Sequence, residues 1–214
     1  MSEAGGAGYF LVDPRPIAAE APYTYFPPGR AQLAAVAKDD LVQLVFEIVP
    51  PGEKWAAERM WVAVSAAGPD ELVGTLETTP DEARFGRGEE VRFRRHHFIG
   101  IHWIDPASAP AADRRREYWD RCLVDDCVLD GSELVEFVYR EAPDMQQEGD
   151  QHLDSGWRFR GRRGSESDEG MERALSYVAL GGVLNRDNSW LHLIDAPIGS
   201  AFMRNFETGE YVED

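Results

Sequence analysis

The sequence predicts an α+β protein: a small, strongly bent N-terminal β-sheet or barrel, followed by a C-terminal α+β domain with a mostly antiparallel sheet. Three observations lead there. Short β-branched runs separated by turn residues fall between Leu41 and Ile101, the pattern of a small all-β unit. A stretch poor in large apolar residues, Asp105-Pro106-Ala107-Ser108-Ala109-Pro110-Ala111-Ala112, then reads as a linker. Beyond it, helix-capping and strand signals alternate to the end of the chain. With 214 residues there is room for one large or two small domains. The expected layout is a proline-rich arm over 1–34, a β domain over 35–105, a linker over 106–112 and an α+β domain over 113–214.

In order along the chain, the first residues read as loop, because Pro14, Pro16, Pro22, Pro27 and Pro28 disfavour helix and sheet interiors. Tyr9, Phe10, Leu11, Tyr23, Tyr25 and Phe26 are too apolar for a free tail, so the arm is expected to lie across a later surface. Gly5-Gly6-Ala7-Gly8 is no phosphate loop, since neither a preceding strand nor a following Gly-Lys-Ser/Thr accompanies it. Residues 31–38 suggest a short helical turn. Strands are expected at Leu41–Val49, Met60–Val64, Glu71–Glu77, Val91–Arg94 and Phe98–Ile101. After the linker, Asp113 caps a predicted helix running to Leu123 with an apolar stripe of Tyr118, Trp119 and Cys122. Asp130-Gly131 suggests a hairpin joining Cys127–Leu129 to Leu134–Tyr139. Further expectations are a strand around Trp157–Arg160, a short helix over 165–173, a strand at Tyr177–Leu180, a capped turn at Ser189–Leu193 and a last strand at Ala201–Arg204.

Composition narrows the function. Hydrophobic residues at 43%, with six Trp and ten Phe, fit a globular protein. No apolar run approaches the roughly 18 residues of a membrane span, and no basic-then-apolar leader opens the chain, which predicts a cytoplasmic protein. Cys122 and Cys127 are the two cysteines, and their spacing favours a reduced pair over a disulfide or metal knuckle. The net charge of −17 and the pI of about 4.6 repel phosphate backbones and anionic lipids. Nucleic acid and membrane are therefore not expected partners, and a basic protein is. Over 106–150, twelve Asp and Glu stand against five Arg, which reads either as a solvated face or as a field steering a cationic partner.

The densest mixture of charge and aromatic residues runs from Phe137 to Phe159. Pairing of the strands at its two ends would bring Arg140, Glu141, Asp154 and Arg158 together beside Tyr139 and Trp157. Partly buried charges persist when paired, and the planar guanidinium pairs best. The cluster reads as an ion-pair network fixing the loop, as a recognition patch of Tyr139, Arg140, Glu141, Asp154, Trp157, Arg158 and Phe159, or as a carboxylate pair for acid-base chemistry. The third reading lacks a nucleophile or oxyanion donor. Ser155 sits in Asp-Ser-Gly-Trp, which is not a nucleophile elbow. His96 and His102 on one strand would lie about 20 Å apart, too far to share an ion. His152 and His192 are isolated. No metal site and no cofactor are expected. The alternation of Arg158, Arg160 and Arg162 with Trp157 and Phe159 fits base stacking, or equally a sheet with rings inward and arginines outward.

Four pieces then line up: Tyr139-Arg140-Glu141-Ala142-Pro143-Asp144, Asp154-Ser155-Gly156-Trp157-Arg158-Phe159, Gly164-Ser165-Glu166-Ser167, and Asp195-Ala196-Pro197-Ile198-Gly199-Ser200-Ala201-Phe202. In these the C-terminal half resembles a bacterial family of unknown biochemical activity assigned to the immunity proteins of polymorphic toxin systems. The N-terminal half more weakly resembles a companion domain, also of unknown function, through Asp40–Phe46, Glu58–Val62, Gly74-Thr75-Leu76 and Glu90–Phe93. Two departures stand beside the patch: the loop after Pro143 is longer, and Arg160–Arg163 replaces a shorter, less basic turn. The resemblance implies a non-catalytic protein that binds a cognate toxin. A regulatory or peptide-binding module and an uncharacterised enzyme are the alternatives.

Overall fold

Alternation puts Val42, Leu44, Phe46 and Ile48 on one side of strand β3 (Leu41–Ile48), and Met60, Val62 and Val64 on the same side of β4 (Ala57–Ala67). In the computed structural model, which describes residues 3–5, 8–82, 85–162 and 174–214, those side chains form the centre of one of two compact units. The first unit comprises Met1–Glu20 and Tyr25–Arg115, the second Ala21–Thr24 and Arg116–Asp214.

The first unit is an antiparallel sheet curled into a half-barrel, in the order β1 (Glu3–Gly5), β2 (Tyr9–Leu11), β3, β4, β5 (Leu72–Leu76) and β6 (Glu90–Phe93), with β7 (Gly100–His102) beside the start of β3. Gly74 lets β5 approach β4 closely, because a Cβ there would stand 2.5 Å from the Ala63 carbonyl oxygen. Arg95, in a 3₁₀ turn at Arg95–His97, donates from Nη1 to the carbonyls of Leu33 (2.7 Å) and Val36 (3.0 Å), tying down the end of helix α2 (Arg30–Ala35).

His97, in the same turn, is buried, and its Nδ1 accepts from the Arg94 backbone N–H at 3.1 Å. Burial, with His96, Arg94 and Arg15 nearby, lowers its pKa to about 4 against a smaller opposing pull from Asp13. The unfolded chain therefore binds a proton on His97 between pH 6.5 and 4 that the folded chain does not. Stability of this unit is expected to fall as pH drops through that window, by roughly 3 kcal/mol at its acid end. Urea unfolding of wild type and His97→Gln at pH 7 and pH 4 checks this; equal losses in both would assign the effect to other groups.

The second unit is a six-stranded sheet in the order β11 (Leu175–Ala179), β8 (Arg121–Asp125), β10 (Asp154–Gly161), β9 (Val135–Arg140), β12 (Ala201–Arg204) and β13 (Tyr211–Glu213). All neighbours are antiparallel except β8 and β10. One face is covered by α3 (Asp126–Leu129), α4 (Leu180–Leu184) and a 3₁₀ turn at Leu191–Leu193, and the core between the layers holds Cys122, Val124, Val138, Trp157, Phe159, Val183 and Trp190. Ala21–Thr24 joins this unit although it lies far upstream. The Tyr23 backbone N–H donates to Asn185 Oδ1 (2.9 Å), Asn185 Nδ2 donates to Thr24 Oγ1 (2.6 Å), and the Tyr23 ring meets that of Tyr118 edge-on.

Several elements differ from expectation. Residues 109–119 form no regular element, and the helix expected to Leu123 is instead β8, whose Cys122 and Val124 alternate into the core between two partner strands. Cys127–Leu129 belongs to the single helical turn α3 rather than to a hairpin, and β9 pairs with β10 and β12. The arm contains β2 and helix α1 (Pro14–Glu20), because proline is tolerated in a first helical turn, where the missing N–H has no partner to lose. Leu180 opens α4 instead of ending a strand, and β13 was not anticipated. The helix expected over 165–173 lies outside the described residues.

Candidate functional site

Pairing of β9 with β10 sets Trp157 opposite Arg140, Arg158 opposite Tyr139, Phe159 opposite Val138 and Arg160 opposite Phe137. The two motif-bearing strands are therefore neighbours, and their side chains alternate between faces. Trp157 and Phe159 enter the covered side, with ring centroids 6.2 Å and 4.3 Å from Trp190. Arg158 and Arg160 take the other side.

Arg158 is only 1% exposed, and all five of its guanidinium hydrogens are used. Nε donates to Glu141 Oε1 (2.5 Å). Nη1 donates to Asp154 Oδ1 (2.9 Å) and the Trp157 carbonyl (3.1 Å), and Nη2 to Asp154 Oδ2 (2.8 Å) and Asp144 Oδ1 (3.1 Å). The two-pronged contact with Asp154 is the geometry in which a planar fork matches a carboxylate best. Asp154 also accepts from the backbone N–H groups of Gly156 (3.0 Å), Met145 (3.1 Å) and Asp144 (3.2 Å). Burial alone would raise the Asp154 pKa, but Arg158 and these amides outweigh it and hold the group at about 2. Asp154 in turn raises the pKa of Arg158, which stays charged. Start and end of the 141–154 loop are thus pinned to one buried cation. Gly156 permits this closeness: its φ is +77°, and a Cβ there would run into the Glu141 carbonyl oxygen.

Arg140 performs a second closure. Its Nε donates to the Ser155 carbonyl (3.1 Å) and its Nη1 to the Ala196 carbonyl (2.7 Å), with the guanidinium carbon 5.5 Å from the Trp157 ring centre. Backbone bonds from Arg140 N to Ser200 O (2.9 Å) and from Gly199 N to Arg140 O (2.7 Å) lock the 195–200 loop to the same strand. Arg160 donates from Nη1 to the buried Asp125 (3.1 Å) and from Nη2 to the Tyr139 hydroxyl (3.3 Å).

Of the seven expected site residues, Asp154, Trp157, Arg158 and Phe159 are buried, Tyr139 and Arg140 are half-buried, and Glu141 is exposed. The four buried ones present almost no surface in this arrangement; they hold the strands and loop on which exposed groups stand. Asp144, 72% exposed at its side chain, is a member of the cluster that sequence reasoning missed. Phe137 and Met203 are in register with each other and, one residue from the core-facing Val138 and Phe202, lie on the opposite face.

The remaining candidates stay separate. His96 and His97 occupy the 3₁₀ turn and His102 lies on β7, and among the described residues no group of three or more His, Cys, Asp or Glu is placed to hold a metal ion. Both cysteines are free, and burial pushes the Cys122 thiol pKa up, leaving it unreactive. A polar cavity is lined by Arg121 and the 147–152 loop, where Arg121 Nε meets Asp150 at 2.5 Å; its lining includes His152 but neither Glu141 nor Asp154. No described helix is long and apolar enough to cross a membrane.

Residues 122–214 match the family model described as Immunity protein Imm33 domain, so the match falls within the second unit and ends with it. No curated protein and no solved structure matches the chain.

Proposed function

We infer that this chain, with an immunity-protein domain over 122–214, protects its host by binding a cognate bacterial toxin directly, without catalysing a reaction. The family match carries this reading. Charge supports it: across 116–214, twenty-two Asp and Glu against ten Arg leave −12 of the total −17 in the matched half. A field of that sign attracts a basic protein and repels nucleic acid, and steered association reaches on the order of 10⁸ M⁻¹s⁻¹ at low salt. The toxin would thus present a cationic surface, and the encounter would take place in the cytosol.

The test is co-expression with the product of the adjacent gene, taken as the candidate toxin and first shown to arrest growth by itself. Growth should be restored by this protein, and the purified pair should associate at least about 10-fold more slowly when salt is raised from 50 to 500 mM. Failure to restore growth would remove the immunity role. Restored growth with a salt-insensitive on-rate would remove the electrostatic part alone.

A further inference from the structure

We propose that the β9–β12–β13 part of the sheet face opposite α3 and α4 is the surface that docks the toxin, and that it takes a protein surface with apolar groups beside Lys or Arg. This rests on the toxin-binding reading above and assigns the face through which it acts.

Strand register lays out the surface. Leu175 faces Asp125, Arg160 stands beside Asp125 because Phe159 is in register with Val124, Arg160 faces Phe137, Phe137 faces Met203, and Met203 faces Val212. This row crosses all six strands, about 24 Å at roughly 4.8 Å per strand. The next row holds Tyr177, Leu123, Arg158, Tyr139 and Ala201. Met203 and Val212, 42% and 59% exposed, are neighbours on β12 and β13, and Phe137 beside them stacks on Tyr139 at 5.3 Å; Leu175, 44% exposed, stands apart at the other edge beyond Asp125 and Arg160. Contiguous apolar side chains left in water mark an interaction face, whereas scattered single ones do not.

Charge selects the occupant. Glu141, Asp144 and Asp154 converge on one guanidinium, a surplus of two negative charges, and the first two carboxylates reach solvent with side chains 45% and 72% exposed. Arg158 faces Tyr139, so these carboxylates border the apolar patch on β9, β12 and β13. At the β13 edge, the exposed Asp214 lies two residues beyond Val212, with its backbone N–H on the Ala201 carbonyl (3.0 Å). The cation facing Phe137, Arg160, is held by Asp125 and Tyr139. A second copy of this chain would set acidic margin against acidic margin, which disfavours self-association. A basic partner that also presents apolar groups meets both features at once.

The test uses the full chain and the adjacent-gene toxin. Met203→Arg combined with Val212→Arg should weaken binding by about 100-fold or more, while His192→Arg, on the covering layer, should bind as wild type. Glu141→Gln with Asp144→Asn should lower the low-salt on-rate and reduce its salt dependence. Circular dichroism and unfolding midpoints matching wild type would show that the variants are folded. Binding by wild type and equally by the double arginine variant overturns the assigned face and leaves the immunity role standing. No binding by wild type overturns both. A wild-type dimer that the double arginine variant converts to monomer would assign the face to self-association and overturn the proposed occupant.

Discussion

Replacing Arg158 by alanine is expected to destabilise the C-terminal unit by about 3–5 kcal/mol, because it strands a buried carboxylate whose charge was compensated. The side chain of Asp154 is 2% exposed and keeps only backbone donors once the guanidinium is gone. That loss is a large fraction of the roughly 5–15 kcal/mol of a typical domain. Arg158→Lys should recover little, since one ammonium cannot reproduce five bonds directed at Glu141, Asp144, Asp154 and the Trp157 carbonyl. The cluster is identified by a double-mutant cycle: Asp154→Asn in the Arg158→Ala background should cost far less than in wild type. Urea unfolding followed through the tryptophans reads this out, and additive losses would mean that the two residues stabilise the unit independently.

Trp157→Ala should cost a similar amount, about 3–5 kcal/mol, through the cavity it leaves. Trp157 is 1% exposed and packs against Phe159 and Trp190. Under the proposed toxin binding, any loss of binding at growth temperature would come from opening of the domain and not from a missing contact. Calorimetric binding to the proposed toxin at a temperature where the variant remains folded separates the two: affinity close to wild type is expected. A folded variant that fails to bind would make the indole part of the interface.

Half of the N-terminal sheet could be read from alternation alone, since β3 to β6 place an apolar residue at every second position against a single core. β8 could not. The segment 113–123 carries a capping aspartate and a helix-like spacing from Tyr118 to Cys122, and only pairing with β10 and β11, which lie 30 and 50 residues downstream, turns it into a strand. A helix of four residues such as α3 has no periodicity to detect. In the site, the meeting of the Tyr139 and Trp157 strands was legible because both motifs flank one loop. The burial of Arg158 was not. Alternation with Trp157 and Phe159 correctly puts it on the opposite face, but whether that face is wet depends on the loop beginning at Glu141, which folds back through Asp144 and Met145 onto Asp154.

The tetrapeptide Ala21–Thr24 has an implication for how such a protein is inherited. Its backbone and side chains complete the packing around Asn185 and Tyr118, so the C-terminal module is not encoded by one uninterrupted stretch of gene. Recombination that grafts residues 116–214 onto a different upstream partner leaves those hydrogen bonds and that ring contact behind. A chain grafted without the tetrapeptide would therefore fold its C-terminal unit with those partners of Asn185 and Tyr118 missing.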